Sequence, residues 1–171
     1  VISGFLIAGI LLDTRDDPAY FKNFYVRRML RIFPLYYLFV IGVLLAFSRN
    51  PEFRQHAGSP VWYLVHLGNV PEGLLGRDVP YWLAPVWSLA IEEQFYLTFP
   101  WLVRLLDRRR LTIVLVAMMI GAPLLRFGTM LAAPGSERIQ YLFTLCRVDT
   151  IAAGCLLAVI VRSVDLERWR A

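Results

Sequence analysis

Glu92 and Glu93 stand side by side within VWSLAIEEQFYLTFPWLV, Val86 to Val103, a stretch otherwise apolar enough to cross a membrane. Carboxylates in such a place can move protons, balance a cation or orient a base, and each ionised one costs about 2.5 to 3.5 kcal/mol to insert. They need partners. Glu92 lies six residues from the start of the stretch, about 9 Å deep at 1.5 Å per residue. Ser88, Glu92 and Tyr96 recur four residues apart on one helical face, whereas Glu93 projects about 100° away. That phase gives Glu92 the inward, chemical role and leaves Glu93 at the edge or held by a neighbouring helix. Arg147 and Asp149 lie six and eight residues into YLFTLCRVDTIAAGCLLAVIV, Tyr141 to Val161, about 9 to 12 Å deep. Equal depths predict a Glu92–Arg147 pair, while Asp149, about 200° round the helix from Arg147, needs another donor. Charges paired at that depth read as a functional site, with a purely structural ion pair as the plain alternative.

A second cluster lies in DDPAYFKNFYVRRMLRIFP. Asp17 followed by Pro18 is an N-cap and first-turn pair, so a helix is expected over residues 18–31. Tyr20, Phe21 and Phe24 give it an apolar side suited to lying in the membrane interface before the chain turns inward near Pro34. Arg27, Arg28 and Arg31 share one face by their three- and four-residue spacing. Guanidinium forks bind phosphate bidentately, so this face can take a diphosphate such as that of a coenzyme A donor. The same arginines can equally be topology signals or contacts to anionic lipid headgroups.

The elements that carry these residues are membrane helices. The 171 residues are 58% hydrophobic and 18% charged, with a mean hydropathy of +0.55, against about 45 to 50% apolar and about 25% charged for an average soluble domain. The expected fold is an all-α polytopic transmembrane bundle: a half-length first helix at 1–12, then spans at 32–47, 86–103, 111–125 and 141–161. Val61 to Val70 is apolar but too short to span, and reads as re-entrant or interfacial. The chain opens without Met on a run of only twelve apolar residues, which reads as a fragment of a longer protein rather than a signal peptide.

Charge orients the bundle. Twelve basic residues fall in 13–31, 104–110 and 162–171, against five in the alternate loops (Arg49, Arg54, Arg77, Arg126 and Arg138), so the first set is expected to be cytoplasmic. The net charge of +5 is not a nucleic-acid footprint, because the 17 arginines and Lys22 sit at the ends of apolar runs and form no stripe with stacking aromatics. Cys146 and Cys155 face opposite sides of a helix, and His56 and His66 have no zinc-like spacing. Neither a disulfide nor a metal, nor any bound cofactor, is expected.

The order VISGFLI, RRMLRIFPLYY, WSLAIEEQFYLTFP, CRVDTIAAGCLLA resembles the integral-membrane acyltransferase 3 family nearly end to end. Members move acyl groups, often acetyl, onto sugars of cell-envelope polymers, secreted glycans or antibiotics. The resemblance implies that Arg28 and Arg31 form the family's R-x-x-R donor motif and that Ser3 and Gly4 form its S-G turn. It implies that Glu92 is the acid following WSL, and that Arg147 and Asp149 are its R-D pair. It also implies a catalytic His in a helix before the SGF helix, a position that neither His56 nor His66 matches. The expected reaction is O-acyl transfer from a cytoplasmic acyl-CoA donor to a sugar hydroxyl in a multi-pass inner-membrane protein, with Ser88 and Tyr96 supporting Glu92. The competing classes are a proton- or ion-coupled transporter without acyl chemistry and a structural membrane-assembly protein. On this orientation a reporter fused after Arg110 stays cytoplasmic and one fused within 48–85 is exposed outside; the reverse pattern overturns the assignment.

Overall fold

The computed structural model describes residues 1–73, 79–133, 135 and 137–168. Arg77 and Arg170, used in the charge count, lie outside them. All the regular structure described is helical: α1 Ile2–Asp13, α2 Tyr20–Ala46, α3 Pro51–Ala57, α4 Val61–Leu64, α5 Asn69–Gly73, α6 Val86–Leu105, α7 Arg108–Ala132, α8 Glu137–Leu142 and α9 Val148–Arg168. Single 3-10 turns occupy Tyr81–Leu83 and Thr144–Cys146. Two helices, α2 and α7, are long and apolar enough to cross a membrane. Their outward residues, Leu35, Leu38 and Leu45 on α2 and Ile120, Leu124 and Leu131 on α7, are all more than half exposed, the pattern of helices that face hydrocarbon.

Two expected boundaries differ. Residues 18–31 are not a separate interfacial helix; from Tyr20 they form the first part of α2, which continues through Pro34 to Ala46. Proline removes one backbone hydrogen bond, a loss that need not break a helix standing in an apolar surround. Asp17 still organises the start, accepting from the Ala19 backbone N–H at 2.7 Å and from Asn23 Nδ2 at 3.1 Å. The segment 141–161 is likewise interrupted, since α8 ends at Leu142 and α9 begins only at Val148.

The main core gathers α1, α6, α7 and α9 around Leu11, Phe95, Phe99, Leu111, Leu115 and Cys155. A smaller cluster at the other end packs Tyr36, Val40, Phe53, Tyr63 and Val86. Helices α2 and α6 run antiparallel, and hydroxyls stitch them: Tyr20 donates to the Pro100 carbonyl at 3.0 Å, Tyr25 to that of Leu97 at 2.8 Å. Asp13 with Arg162, and Arg15 with the Leu106 carbonyl, bring the ends of α1, α6 and α9 to one side of the bundle. Arg15, Arg104 and Arg162 therefore gather at one end of the molecule, whereas Arg27, Arg28 and Arg31 lie further along α2, level with the middle of α6.

Helices α1 and α9 pack backbone to backbone. A Cβ on Gly4 would collide with the Ile151 carbonyl oxygen, and one on Gly154 with the backbone of Val1 and Phe5. This close approach lets Cys155 donate to the Gly4 carbonyl at 3.4 Å, an approach that only residues without a bulky side chain at the contact allow. Gly4→Ala and Gly154→Ala in the full-length protein should each lower thermal stability by about 1 to 3 kcal/mol. Gly42→Ala, with nothing within 4 Å of the new atom, should not; equal melting temperatures for all three would show that the α1–α9 contact is dispensable.

Candidate active site

Glu92, Glu93 and Gln94 are consecutive on α6, so they leave the helix about 100° apart, and each meets a different element. Glu92 receives long hydrogen bonds of 3.5 Å from the Ser3 hydroxyl on α1 and from the Tyr96 hydroxyl one turn on. Glu93 forms a two-pronged ion pair with Arg28 on α2, Nη2 to Oε1 at 2.8 Å and Nε to Oε1 at 3.2 Å. Both side chains are only 13% exposed, little enough water for the attraction to exceed that of a surface pair. Gln94 donates to Asn69 Oδ1 at 3.0 Å and to the His66 carbonyl at 3.1 Å and binds the Thr144 hydroxyl.

The two acids are joined through Tyr96. The Arg28 guanidinium lies 3.5 Å from the centre of the Tyr96 ring, a cation–π contact that flattens it against the face of the residue bonded to Glu92. Glu93, Arg28, Tyr96, Glu92 and Ser3 thus form one connected set across three helices. Beside it opens a cavity of about 700 Å³ between α1 and α2, lined by Ser3, Leu6, Ile7 and Ile10 on one wall and Arg27, Arg28 and Arg31 on the other. Glu92 and Tyr96 close one side, and Asn23 and Thr14 also line it. Arg27 and Arg31 are exposed, and among the described residues no ion pair engages either.

Several expected partnerships are replaced. The Glu92–Arg147 pair does not form: Arg147 lies in the break before α9, with its guanidinium 4.8 Å from the Tyr141 ring centre and 6.0 Å from that of Trp87. Depth counted from Tyr141 assumed an unbroken helix, and the interruption at 143–147 leaves Arg147 near Trp87 at the start of α6 rather than beside Glu92. Asp149 takes Arg126 of α7 as its donor, at 2.7 Å, and Arg126 also reaches the Cys146 carbonyl. Ser88 is exposed, bonds the Pro85 carbonyl at 3.2 Å and lies outside the cavity lining. The arginine face and Glu92 border one cavity, because α2 rises straight past α6 instead of lying flat beneath it.

Cys146 and Cys155 are free and buried. Among the described residues no cluster of His, Cys, Asp and Glu could hold a metal.

Over residues 1–170 the chain matches the acyltransferase domain family, acyltransferase 3. The chain belongs to that family. It is 30% identical over 177 residues to the peptidoglycan O-acetyltransferase OatA of Listeria monocytogenes, a match covering 94% of this chain and 28% of that protein. It is 30% identical over 178 residues to the O-acetyltransferase OatA of Staphylococcus aureus, with the same coverage. The chain spans 28% of the length of these curated relatives. No solved structure matches it. Membership places the chain in an acyltransferase domain family.

Sequence reasoning named His66 only to set it aside as a zinc ligand and as the motif histidine, and passed over its ring contacts and the network around Gln94. The His66 ring stacks on Tyr36 at 4.2 Å and on Phe33 at 5.0 Å, its Nε2 is buried without a hydrogen bond, and its backbone sits at φ 58°, a left-handed conformation costly for a residue with a Cβ. Gly68 and Asn69 just beyond it were the available turn signal. Burial holds the His66 imidazole below its usual 6.5, with the Glu93 carboxylate opposing the shift. The unfolded chain therefore binds this proton more readily, so stability is lost as pH falls from about 6.5 toward the depressed folded value. His66→Phe should flatten the melting temperature between pH 7 and about pH 5; an unchanged acid slope would mean that His66 contributes nothing to it.

Proposed function

We propose that the full-length protein is a multi-pass inner-membrane O-acyltransferase that moves an acyl group, acetyl by preference, from cytoplasmic acyl-CoA to a hydroxyl of a cell-envelope or secreted glycan. The observation that carries this reading is the shared cavity: guanidinium groups suited to phosphates and a partnered carboxylate line one space. The names of the OatA relatives, one of them a peptidoglycan O-acetyltransferase, support a glycan acceptor. Alongside the two long apolar helices, α6 and α9 are taken as spans, which gives about four crossings with the arginine-rich end inside.

In this reading Arg31 and Arg28, with Arg27 beside them, face the donor's phosphates, each fork offering paired N–H donors. The cavity wall from Thr14 to Ser3 covers eleven residues of chain, about 16 Å of helix rise, and its apolar side chains suit the arm that carries the thioester. Because the Arg28 guanidinium lies on Tyr96 and Tyr96 bonds Glu92, the phosphates sit close to that carboxylate, and the flexible arm folds back within the cavity to bring the thioester carbonyl to it. The acceptor oxygen forms the new C–O bond, the C–S bond breaks, and the acceptor's proton finishes on the departing thiolate. Glu92, fixed by Ser3 and Tyr96, serves as the acid–base or charge-balancing group, either directly or for the membrane histidine that the family resemblance implies. The Arg126–Asp149 pair ties α7 to α9, and Arg147 stacks near Tyr141 and Trp87 beside the start of α6.

Glu92→Gln should reduce glycan acylation by the full-length protein at least about 100-fold with membrane insertion intact. Arg31→Ala should weaken acyl-CoA binding about 10-fold or more, the loss expected for one charge-assisted contact. Parent-level acylation by the first variant, or parent affinity in the second, removes the corresponding role.

A further inference from the structure

Glu93 has no part in the reaction as described so far, yet it makes the strongest side-chain contact at the site. Its carboxylate takes the Nε and Nη2 edge of Arg28 in an environment where both groups are 13% exposed, and Tyr96 covers a face of the same guanidinium at 3.5 Å. With one edge and one face occupied, Arg28 keeps its Nη1 edge, which has no hydrogen bond among the described residues, and Arg28 lines the cavity. Arg27 and Arg31, in contrast, are exposed and unclamped.

We infer that Glu93 is a positioning residue for acyl transfer: it locks Arg28 so that its remaining N–H edge is presented to the donor, and through Arg28 it fixes the Tyr96 ring whose hydroxyl bonds Glu92. The inference rests on the function proposed above. It divides the arginine face into one preset member, Arg28, and two exposed ones that gather the donor's charge, and it makes the second glutamate of the pair the link between donor binding and Glu92. A carboxylate is required because an amide carries no charge to strengthen the two N–H bonds to Oε1 and would replace Oε2, which Nε also reaches at 3.4 Å, with an N–H donor.

The test is a double-mutant cycle on the full-length protein in nanodiscs, reading kcat and the donor KM for acyl-CoA turnover. Glu93→Gln should raise the donor KM about 10-fold, the loss expected from one charge-assisted contact. In an Arg28→Ala background the same change should have no further effect, because its target is gone. Equal effects in both backgrounds, or parent kinetics for Glu93→Gln alone, overturn the positioning role. If Glu93→Gln does not insert, Glu93→Asp carries the test: it keeps the charge but shortens the reach, and should raise the donor KM by a smaller factor, with parent KM as the overturning result. A parent protein that neither binds nor turns over acyl-CoA sinks the proposed function itself, an outcome distinct from a turning-over parent indifferent to Glu93.

Discussion

Three adjacent polar residues inside one apolar helix impose a severe constraint. Glu92, Glu93 and Gln94 leave α6 about 100° apart, so no single neighbour can satisfy all three, and burying any one without a partner costs several kcal/mol. The fold answers by surrounding α6. Helix α1 brings Ser3 to Glu92, α2 brings Arg28 to Glu93, and the α4–α5 loop with the turn before α9 brings Asn69, His66 and Thr144 to Gln94. The rotation of α6 about its axis is thereby set from three sides, and a turn of the helix in either direction would strand at least one group. Asn69, only 3% exposed, belongs to this lock because it also donates to the Leu142 carbonyl at 3.0 Å.

The Arg28–Glu93 pair fixes the height of α2 as well as its direction. Tyr20, Tyr25 and Arg28 meet Pro100, Leu97 and Glu93 in descending order along α6, three contacts that define one antiparallel register. At the opposite end Tyr36 and Tyr37 donate to the Tyr63 and Leu64 carbonyls at 2.5 and 3.0 Å. Between these anchors α2 carries mostly exposed apolar residues, so the apolar contacts available to hold it in place are few. Its position is set by directional polar contacts, and loss of one buried partner in such a pair typically costs about 3 to 5 kcal/mol.

The sequence made the directions of these side chains readable but left several of their neighbours unreadable. Helical phase separated Glu92 from Glu93 and put Tyr96 with Glu92, both of which hold in three dimensions. Depth counted along the chain misassigned Arg147, because the count runs through residues 143–147, where the helix is broken. It missed Arg28 as the partner of Glu93, because Pro34 and the apolar residues of 20–24 read as an interfacial helix ending in a turn. Periodicity reports which way a side chain points; whether a proline ends a helix depends on the solvent around it. The packing of His66 was not legible because its environment is made by Phe33 and Tyr36, some thirty residues earlier in the chain.

The cavity follows from the same polar anchors. Helix α2 is drawn to α6 by Arg28 and by its tyrosines, and none of the hydrogen bonds that locate it reaches α1, so the two helices stand apart. Arg27 and Arg31, four residues apart on the open side, repel each other and would be poorly solvated if α1 closed over them with Leu6, Ile7 and Ile10. Closing the gap would therefore bury two like charges against an apolar wall. The arrangement that satisfies the acids of α6 obliges the protein to keep a positively lined, apolar-walled space open beside Glu92, and an anionic occupant relieves the strain by supplying the counter-charge and gains affinity from the low-dielectric wall.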